Sequence, residues 1–526
     1  MSVESRHDEA FPVVVIGAGL AGLTAAIHLA ERGVEPLVLE ADSLWPGGRL
    51  SGGEADTFEY AGQQWSFKPD HGVHALWGGY YNLRATFDRF LDIELQPSFG
   101  EEWINRYGRE VTMIEAGNAI RSRWLPAPFH YLQLLFHPQI WNTITPLDFL
   151  SLPGFLVSIL WAVGFDPLQE KIALDGLMMN EYFRGWTPRL KATFVGLGEN
   201  LLAAPAESIS LTAFIAALRF YTMLRRDSWS LLYFSGNTHD TLIQPLIDQT
   251  ECRGGMVMRG ATAQKLERMN GYWRISVEDS RLGGIRSLLA EHVILAVQPP
   301  AAERLLCASP HTVEDASKMI FPTGLPNATV RLWYDEAPRP GPQGGMFTGE
   351  FVPDNFFWLH RLYPEFEQWY EATGGSAIEL HIYGPPAVLQ QPDQNLLILS
   401  VNEVQRAFPN LRGHFIHGTV RRNSANHPQF RIPTIASLHV ETPWPDVFTC
   451  GDWIGYPTPS MWMERACVTG IAAANNVLRS YEKEPFAIIQ PPPPEMLARI
   501  LGVGIRFLRR TIGRVILRFF RMLRWR

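Results

Sequence analysis

The sequence predicts an α/β protein with a parallel nucleotide-binding sheet, an interleaved α+β domain, an apolar helical region and a C-terminal amphipathic helix. Three observations predict it. A β-branched run, Val13–Ile16, enters a glycine-rich turn and then a helical stretch. Strand-like and helix-like segments alternate again between residues 255 and 478. Two stretches differ in character: residues 120–235, rich in Trp, Phe, Leu and Pro, and a tail after the proline run Pro491–Pro494. Alternating strand and helix patterns indicate a sheet covered by helices.

The first element is a strand. Val13 to Ile16 are uninterrupted and β-branched, as in a strand buried on both faces of a parallel sheet. Gly17, Gly19 and Gly22 then supply G-x-G-x-x-G. Gly17 permits the tight turn, Gly19 lets backbone approach a pyrophosphate, and Gly22 lets helix and strand pack closely. Leu20 to Arg32 reads as a helix whose first residues, Leu20 and Ala21, face a diphosphate with the positive end of the dipole. Val38 and Leu39 form the second strand, and Glu40 ends it before Ala41, 18 residues after Gly22. A carboxylate there accepts hydrogen bonds from an adenosine ribose. This favours NAD or FAD over NADP and does not separate the first two.

Later segments follow the same logic. AEHVILAVQPP (290–300) is a buried strand stopped by Pro-Pro, and ATVRLWYDE (328–336), FFWLH (356–360) and AIELHIYG (377–384) are strands between helical stretches. DVFTCGDW (446–453) is a strand, and residues 461–478 are a helix. Gly451 and Asp452 lie at the carboxyl end of that strand, the edge where parallel sheets bind ligands. The expected parts are a nucleotide-binding domain in three pieces (11–115, 241–310, 441–480), an apolar helical region (116–240), a substrate domain (311–440), a linker (481–494) and the tail (495–526).

A length of 526 residues supports two or three such domains. The four cysteines are scattered without C-x-x-C, which argues against a zinc site or disulfide framework and fits a reducing compartment. Residues 1–10 are polar, so no signal peptide is read and a cytoplasmic, membrane-peripheral protein is expected. Net charge is −7 and uneven. Nine arginines against one glutamate give residues 495–526 a charge of +8, leaving −15 on the rest. In the tail, Leu501, Ile505, Leu508, Ile512, Val515, Ile516, Phe519, Met522 and Leu523 share one helical face, opposite Arg506, Arg509, Arg510, Arg514, Arg518, Arg521 and Arg524. That pattern suits a helix lying on an anionic membrane better than one on nucleic acid, and packing on the body is the alternative. Phe149 to Phe165 is the most apolar stretch, interrupted by Pro153. It reads as a buried helix, with a helix dipping into one leaflet or lining an apolar channel as the other readings.

Further motifs carry a resemblance. They are Gly47-Gly48-Arg49, DHGVHALWGGYYNL (70–83), LPAPFHYLQLLFH (125–137), ISLTAFIAALRF (209–220), SGNTHDTLIQPL (235–246) and CGDWIGYPTPSMWMERACVTGIAAAN (450–475). Together with the glycine fingerprint, they resemble the FAD-dependent amine oxidase and carotenoid desaturase superfamily. The resemblance is nearest to plant- and cyanobacterial-type carotene desaturases and aromatic-ring-forming carotenoid desaturase/methyltransferases. The family segment G-x-H-x-F-F-x-x-Y-x-N stands here as Gly72, His74, Tyr80 and Asn82, with Leu76 and Trp77 replacing the phenylalanines. The resemblance covers residues 12–480 and leaves out the tail.

This resemblance implies a Rossmann-type, glutathione-reductase-like domain holding FAD. Glu40 would take the ribose, Gly47, Gly48 and Arg49 the pyrophosphate and ribityl region, and Ala263 the adenine. Gly451 and Asp452 would hold the ribityl or pyrophosphate end, and Met463 would lie against the flavin. Gly72 and His74 would pass close to the ring system. His74 and Arg219 are the candidate catalytic residues, Arg219 by its match to an arginine near the flavin and substrate channel, with a structural ion pair as its other reading. His71 and His74 have no third partner of matching pattern, so no metal is expected.

The expected activity is desaturation of a carotenoid or related polyene at a membrane, hydride passing to flavin N5 and a quinone accepting the electrons. The alternatives are ring desaturation with methyl transfer, an amine-oxidase-like reaction on a small substrate, and a lipid-binding flavoprotein without turnover. The sequence does not address oligomeric state.

Overall fold

The structure is a computed structural model and describes residues 10–121, 124–170 and 176–523. The elements that position the site are, in chain order, β1 (Ala10–Ile16), α1 (Leu20–Glu31), β2 (Pro36–Glu40), β3 (Glu101–Tyr107), β4 (Glu110–Glu115), α2 (Leu152–Gly164), α3 (Pro188–Leu202), β5 (Met256–Arg259), β6 (Ala261–Met269), β7 (Tyr272–Asp279), β8 (Ile285–Leu295), β9 (Gly324–Tyr334), β10 (Gly344–Gly349), β11 (Asn355–Trp358), β12 (Ser376–Ile382), β13 (Phe415–Pro428), β14 (Val447–Thr449), α4 (Trp462–Ser480) and α5 (Met496–Leu523).

The β-branched run of β1 places it in the middle of the first sheet. The order is β5-β2-β1-β8-β7-β6, with β14 added to β8 at Val293–Leu295. The strands from β5 to β8 and β14 are parallel, and β6 and β7 extend the sheet as an antiparallel meander. Val13, Val14 and Val15 are fully buried between the two faces. On one face α1 packs against α4 with backbones in close approach. A Cβ on Gly470 would lie 2.6 Å from the Ala21 carbonyl oxygen. Thus the two strand–helix pairs read from opposite ends of the sequence, β1–α1 and β14–α4, stand side by side.

The second sheet runs β13-β9-β12-β11-β10-β3-β4 and is antiparallel except for β10 beside β3. Residues 101–115 therefore belong to this sheet and not to the nucleotide-binding domain expected for 11–115. Ile104 sits in the second sheet's core with Phe347, Phe356 and Leu380, which ties β3 to a partner far along the chain.

Two further expectations are corrected. Pro153 does not interrupt the apolar stretch. It lies in the first turn of α2, where its missing N–H leaves no bond unmade. Nor is the stretch buried all round: Ile159, Ala162, Val163 and Phe165 are buried, and the other face is not. Pro146–Gly164 is apolar and long enough to cross a membrane by length and composition, and 39% of it is buried. Leu147, Phe149, Leu150, Leu152, Leu156 and Val157 are exposed, as is Phe136 nearby.

The tail is helical from Met496 to Leu523, and its first turns dock on α2. Gly164 makes room for Ile505, since a Cβ there would lie 2.2 Å from the isoleucine side chain. Arg509 pairs with Glu170 and lies over the Phe165 ring. Glu495 anchors the start by accepting from the Arg226 side chain and from the amides of Ala127 and Arg226. Leu501 and Ile505 thus face the body, while Ile500, Val503, Phe507 and Leu508 remain exposed. The side chains of 512–523 and residues 524–526, including the remaining predicted apolar and arginine positions, lie outside the described part.

Candidate active site

A cavity of about 790 Å³ runs along the carboxyl edge of the first sheet and turns toward the second. Its first end is built by backbone. Gly17 has φ +110°, and a Cβ there would lie 2.6 Å from the Ala296 carbonyl oxygen, so only glycine makes this turn. A Cβ on Gly22 would lie 2.0 Å from the Gly17 oxygen. Gly19 precedes α1 with no side-chain cap, and no acidic residue stands in the helix's first turn. The amides of that turn are therefore available to an anion. Glu40 ends β2 beside them. Its oxygens accept from the amides of Ala18 and Asp42, both at 2.8 Å. A carboxylate with two such bonds still has lone pairs for ribose hydroxyls. Burial raises its pKa.

Gly47 and Gly48 carry φ +119° and +59° and bring the next backbone to the cavity wall. Arg49 follows and donates to Asp452 at 2.7 Å, across 403 residues of chain. Arg49 also reaches Nδ1 of His427 at 3.4 Å. Met463 lines the wall from the first turn of α4. Just before it, Trp462 holds φ +48°, a strained backbone for a bulky residue, with its indole donating to the Leu201 carbonyl at 2.9 Å.

Beyond Asp452 the wall is imidazole-rich: His71, His74, His381 and His427 all line it. Burial, with the Arg49 charge adding to it, pushes His74 down to about 4. Burial, reinforced by Arg49, also pushes His427 down to about 4, and His71 lies well below its ordinary value mainly through burial. Near neutral pH these three rings are uncharged. Nδ1 of His74 and Nε2 of His71 are buried without hydrogen-bond partners among the described residues. Orphan polar atoms of this kind call for a ligand or water.

The positions expected from sequence converge. Gly17, Gly19, Leu20, Ala21, Glu40, Ala41, Gly47, Gly48, Arg49, Gly72, His74, Ala263, Gly451, Asp452 and Met463 all line this cavity. Gly22 does not; it packs helix against turn. Arg219 also stands elsewhere. It donates to the carbonyls of Ala162 and Val163 and pairs with Asp166 at 3.2 Å, which turns it toward a separate cavity under Pro491–Pro494. The expectation of an arginine near the cofactor is replaced by the ion-pair reading, because two carbonyls and a carboxylate satisfy its donors there.

Sequence reading missed Asn355, His381, Tyr383, His427 and Trp462. The first four come from β11, β12 and β13 or their immediate ends, and only the sheet order brings them to the cavity. AIELHIYG contained His381 and Tyr383, but nothing in its pattern marked them as site residues.

The lining fits a long, diphosphate-bearing nucleotide. The amides and Arg49 lie near the middle, Glu40 and Ala263 at one end, and imidazoles with unpaired nitrogens on His71 and His74 at the other. A model of the flavin-containing amine oxidoreductases matches residues 20–478. Carotenoid phi-ring synthase of Streptomyces griseus is 26% identical over 483 residues, covering 89% of this chain and 88% of that protein. A 15-cis-phytoene desaturase of Narcissus pseudonarcissus is 25% identical over 346 residues, covering 63% of this chain and 55% of that protein. The structure of cyclohexylamine oxidase from Brevibacterium oxydans superposes with a TM-score of 0.63 at 16% identity, covering 90% of this chain and all of the other. Fold, cavity lining and family match agree, and the chain belongs to the flavin-containing amine oxidoreductases as an FAD-dependent oxidoreductase.

Proposed function

We propose that this enzyme dehydrogenates a carotenoid or related polyene lipid drawn from a membrane, with a membrane quinone taking the electrons onward. One observation carries the reading: an apolar cavity beside the exposed helices that shares a helix with the cofactor cavity. A second cavity of about 150 Å³ is lined by Leu135, Phe149, Leu152, Trp186, Phe194 and Leu197, among other apolar residues. Several of these belong to the exposed apolar face. Helix α3 links the two spaces, with Leu190, Phe194 and Leu197 on the small cavity and Asn200 and Leu201 on the large one. A polyene needs such apolar walls and few polar anchors.

FAD supplies the two-electron acceptor. The chain's own residues bind it through the α1 amides, Glu40, Arg49 and Asp452, and the packed aromatic walls keep water from the reacting carbons. Exposed apolar residues on α2 and α5, with arginines beside them, would seat the enzyme on the cytoplasmic face of an anionic membrane. A ring-forming reaction is favoured over linear desaturation by coverage. The phi-ring synthase match spans 88% of its length and the phytoene desaturase match 55%.

Expression in cells accumulating phytoene, ζ-carotene, γ-carotene or β-carotene tests the reading by pigment chromatography and mass. The expected result is a product with fewer hydrogens from γ- or β-carotene, with the enzyme in the membrane fraction. A chain ending at residue 494 is expected to shift toward the soluble fraction. Unchanged pigments in all four strains would remove the carotenoid assignment.

A further inference from the structure

We infer that Tyr383, His381 and Glu379 form a proton relay at the substrate end of the cavity, with the Tyr383 hydroxyl as the group that meets the substrate. The inference rests on the dehydrogenation reading above. His381 and Tyr383 both line the cavity, and Glu379 lies fully buried behind them. Oε1 of Glu379 is 2.9 Å from Nε2 of His381, and Nδ1 of the same ring is 3.2 Å from the Tyr383 hydroxyl.

The direction of the bonds follows from the donors. Glu379 also accepts from the Val73 amide at 2.7 Å and from Nε of Arg331 at 2.7 Å. Burial alone would raise its pKa, but Arg331 and His381 outweigh this and hold it at about 2. An ionised carboxylate can only accept, so Nε2 of His381 carries the proton. In the neutral ring Nδ1 is then an acceptor and takes the Tyr383 O–H. The side-chain amide of Asn355 donates to the Tyr383 oxygen at 3.1 Å, which leaves that O–H free to point at His381. Gly72 completes the arrangement, since a Cβ there would lie 2.8 Å from Nε2 of His381. A carboxylate, an imidazole and a hydroxyl in line have the order of a hydrolase triad.

Dehydrogenation gives this chain a task. FAD, when bound, would take the hydride with its electron pair from the substrate. In the same step the adjacent C–H bond breaks, its electron pair forms the new C=C bond, and a proton leaves. The Tyr383 oxygen takes that proton as its own passes to Nδ1 of His381, and Glu379 stabilises the imidazolium formed. The titratable and charged groups around His381 are Glu379 on its own strand, Tyr383 just past the strand end, Arg331 on β9, and His71 and His74 across the cavity wall. Asp354 lies before β11, with Glu199 of α3 beside it.

Two readouts test the relay on the full-length holoenzyme. In anaerobic rapid mixing with β-carotene in phosphatidylglycerol vesicles, Tyr383→Phe is expected to slow flavin bleaching about a hundredfold with flavin content unchanged. A rate within threefold of wild type would overturn the relay. Histidine-selective NMR gives the second readout. Tyr383→Phe, which removes the donor to Nδ1, and Glu379→Gln, which removes the carboxylate facing Nε2, are each expected to shift the resonance of the His381 ring nitrogen they face. If neither variant moves these resonances, the relay is wrong. Should wild-type flavin fail to bleach with carotene, the function proposed above falls, and the relay stands or falls on the NMR shifts. If Glu379→Gln does not fold, Tyr383→Phe, which loses one hydroxyl, decides both readouts.

Discussion

Gly22→Val is expected to yield a protein with less than a tenth of the wild-type flavin per chain. A side chain at this position begins 2.0 Å from the Gly17 carbonyl oxygen and 3.0 Å from the Ala296 Cβ. Both neighbours directly follow strands of the first sheet and are hydrogen-bonded to it, so α1 must move away from the turn. That displaces the amides on which the diphosphate depends, and a tenfold loss requires only about 1.4 kcal/mol of binding energy. Overpacking a close contact commonly costs ~1–3 kcal/mol in stability as well. The control is Gly504→Ala on α5, where a Cβ meets nothing within 4 Å and flavin content should not change. The absorbance ratio of flavin to protein after purification measures both. Full flavin in Gly22→Val would show that the helix–turn contact is not what positions the cofactor.

The second large effect lies at Glu379. Its side chain and that of Arg331 are 0% and 1% exposed, and Asp56 is the next carboxylate, 3.7 Å from the arginine. Glu379→Ala leaves Arg331 buried with its nearer partner gone, a change that typically costs ~3–5 kcal/mol. Denaturant unfolding near neutral pH should show the loss as a lower midpoint. The pH dependence has a definite sign. Glu379 is held at about 2 in the fold against an ordinary 4.5, so its contribution is complete above pH 4.5 and is lost as pH falls toward 2. The gap between wild type and Glu379→Ala should therefore narrow across that interval. A gap that stays constant would mean that Glu379 is not ionised in the native protein.

The parts that were legible in the sequence are those whose signals are local. Val13–Ile16, the three glycines and Glu40 define strand, turn, helix and acid within one short segment, and the structure builds them as one strand–turn–helix–strand unit. Gly451 and Asp452 were legible because a strand end is read from a few residues, whereas Met463 came from the family resemblance alone. The second sheet was not legible in this way. Its parallel pair β3–β10 joins segments more than 200 residues apart, and no local pattern announces that pairing. His381, Tyr383, Asn355 and His427 reach the cavity only through that sheet. Hydropathy also could not tell which face of Phe149–Phe165 is exposed, because an apolar helix with one open face and one buried all round have the same composition. Arg219 failed for a different reason: a matched segment fixes where a backbone runs, not which carboxylate its side chain meets.

The account's central claim is that an FAD seated along the first sheet oxidises a polyene that arrives through apolar helices. Anaerobic flavin reduction tests it most directly. The purified holoenzyme is mixed without oxygen with γ-carotene or β-carotene in anionic vesicles, and in parallel with putrescine and cyclohexylamine, while the oxidised-flavin band is followed. The account predicts bleaching by a carotene, with a dehydrogenated product in stoichiometric amount, and none by the amines. Bleaching by an amine with no response to either carotene would contradict it.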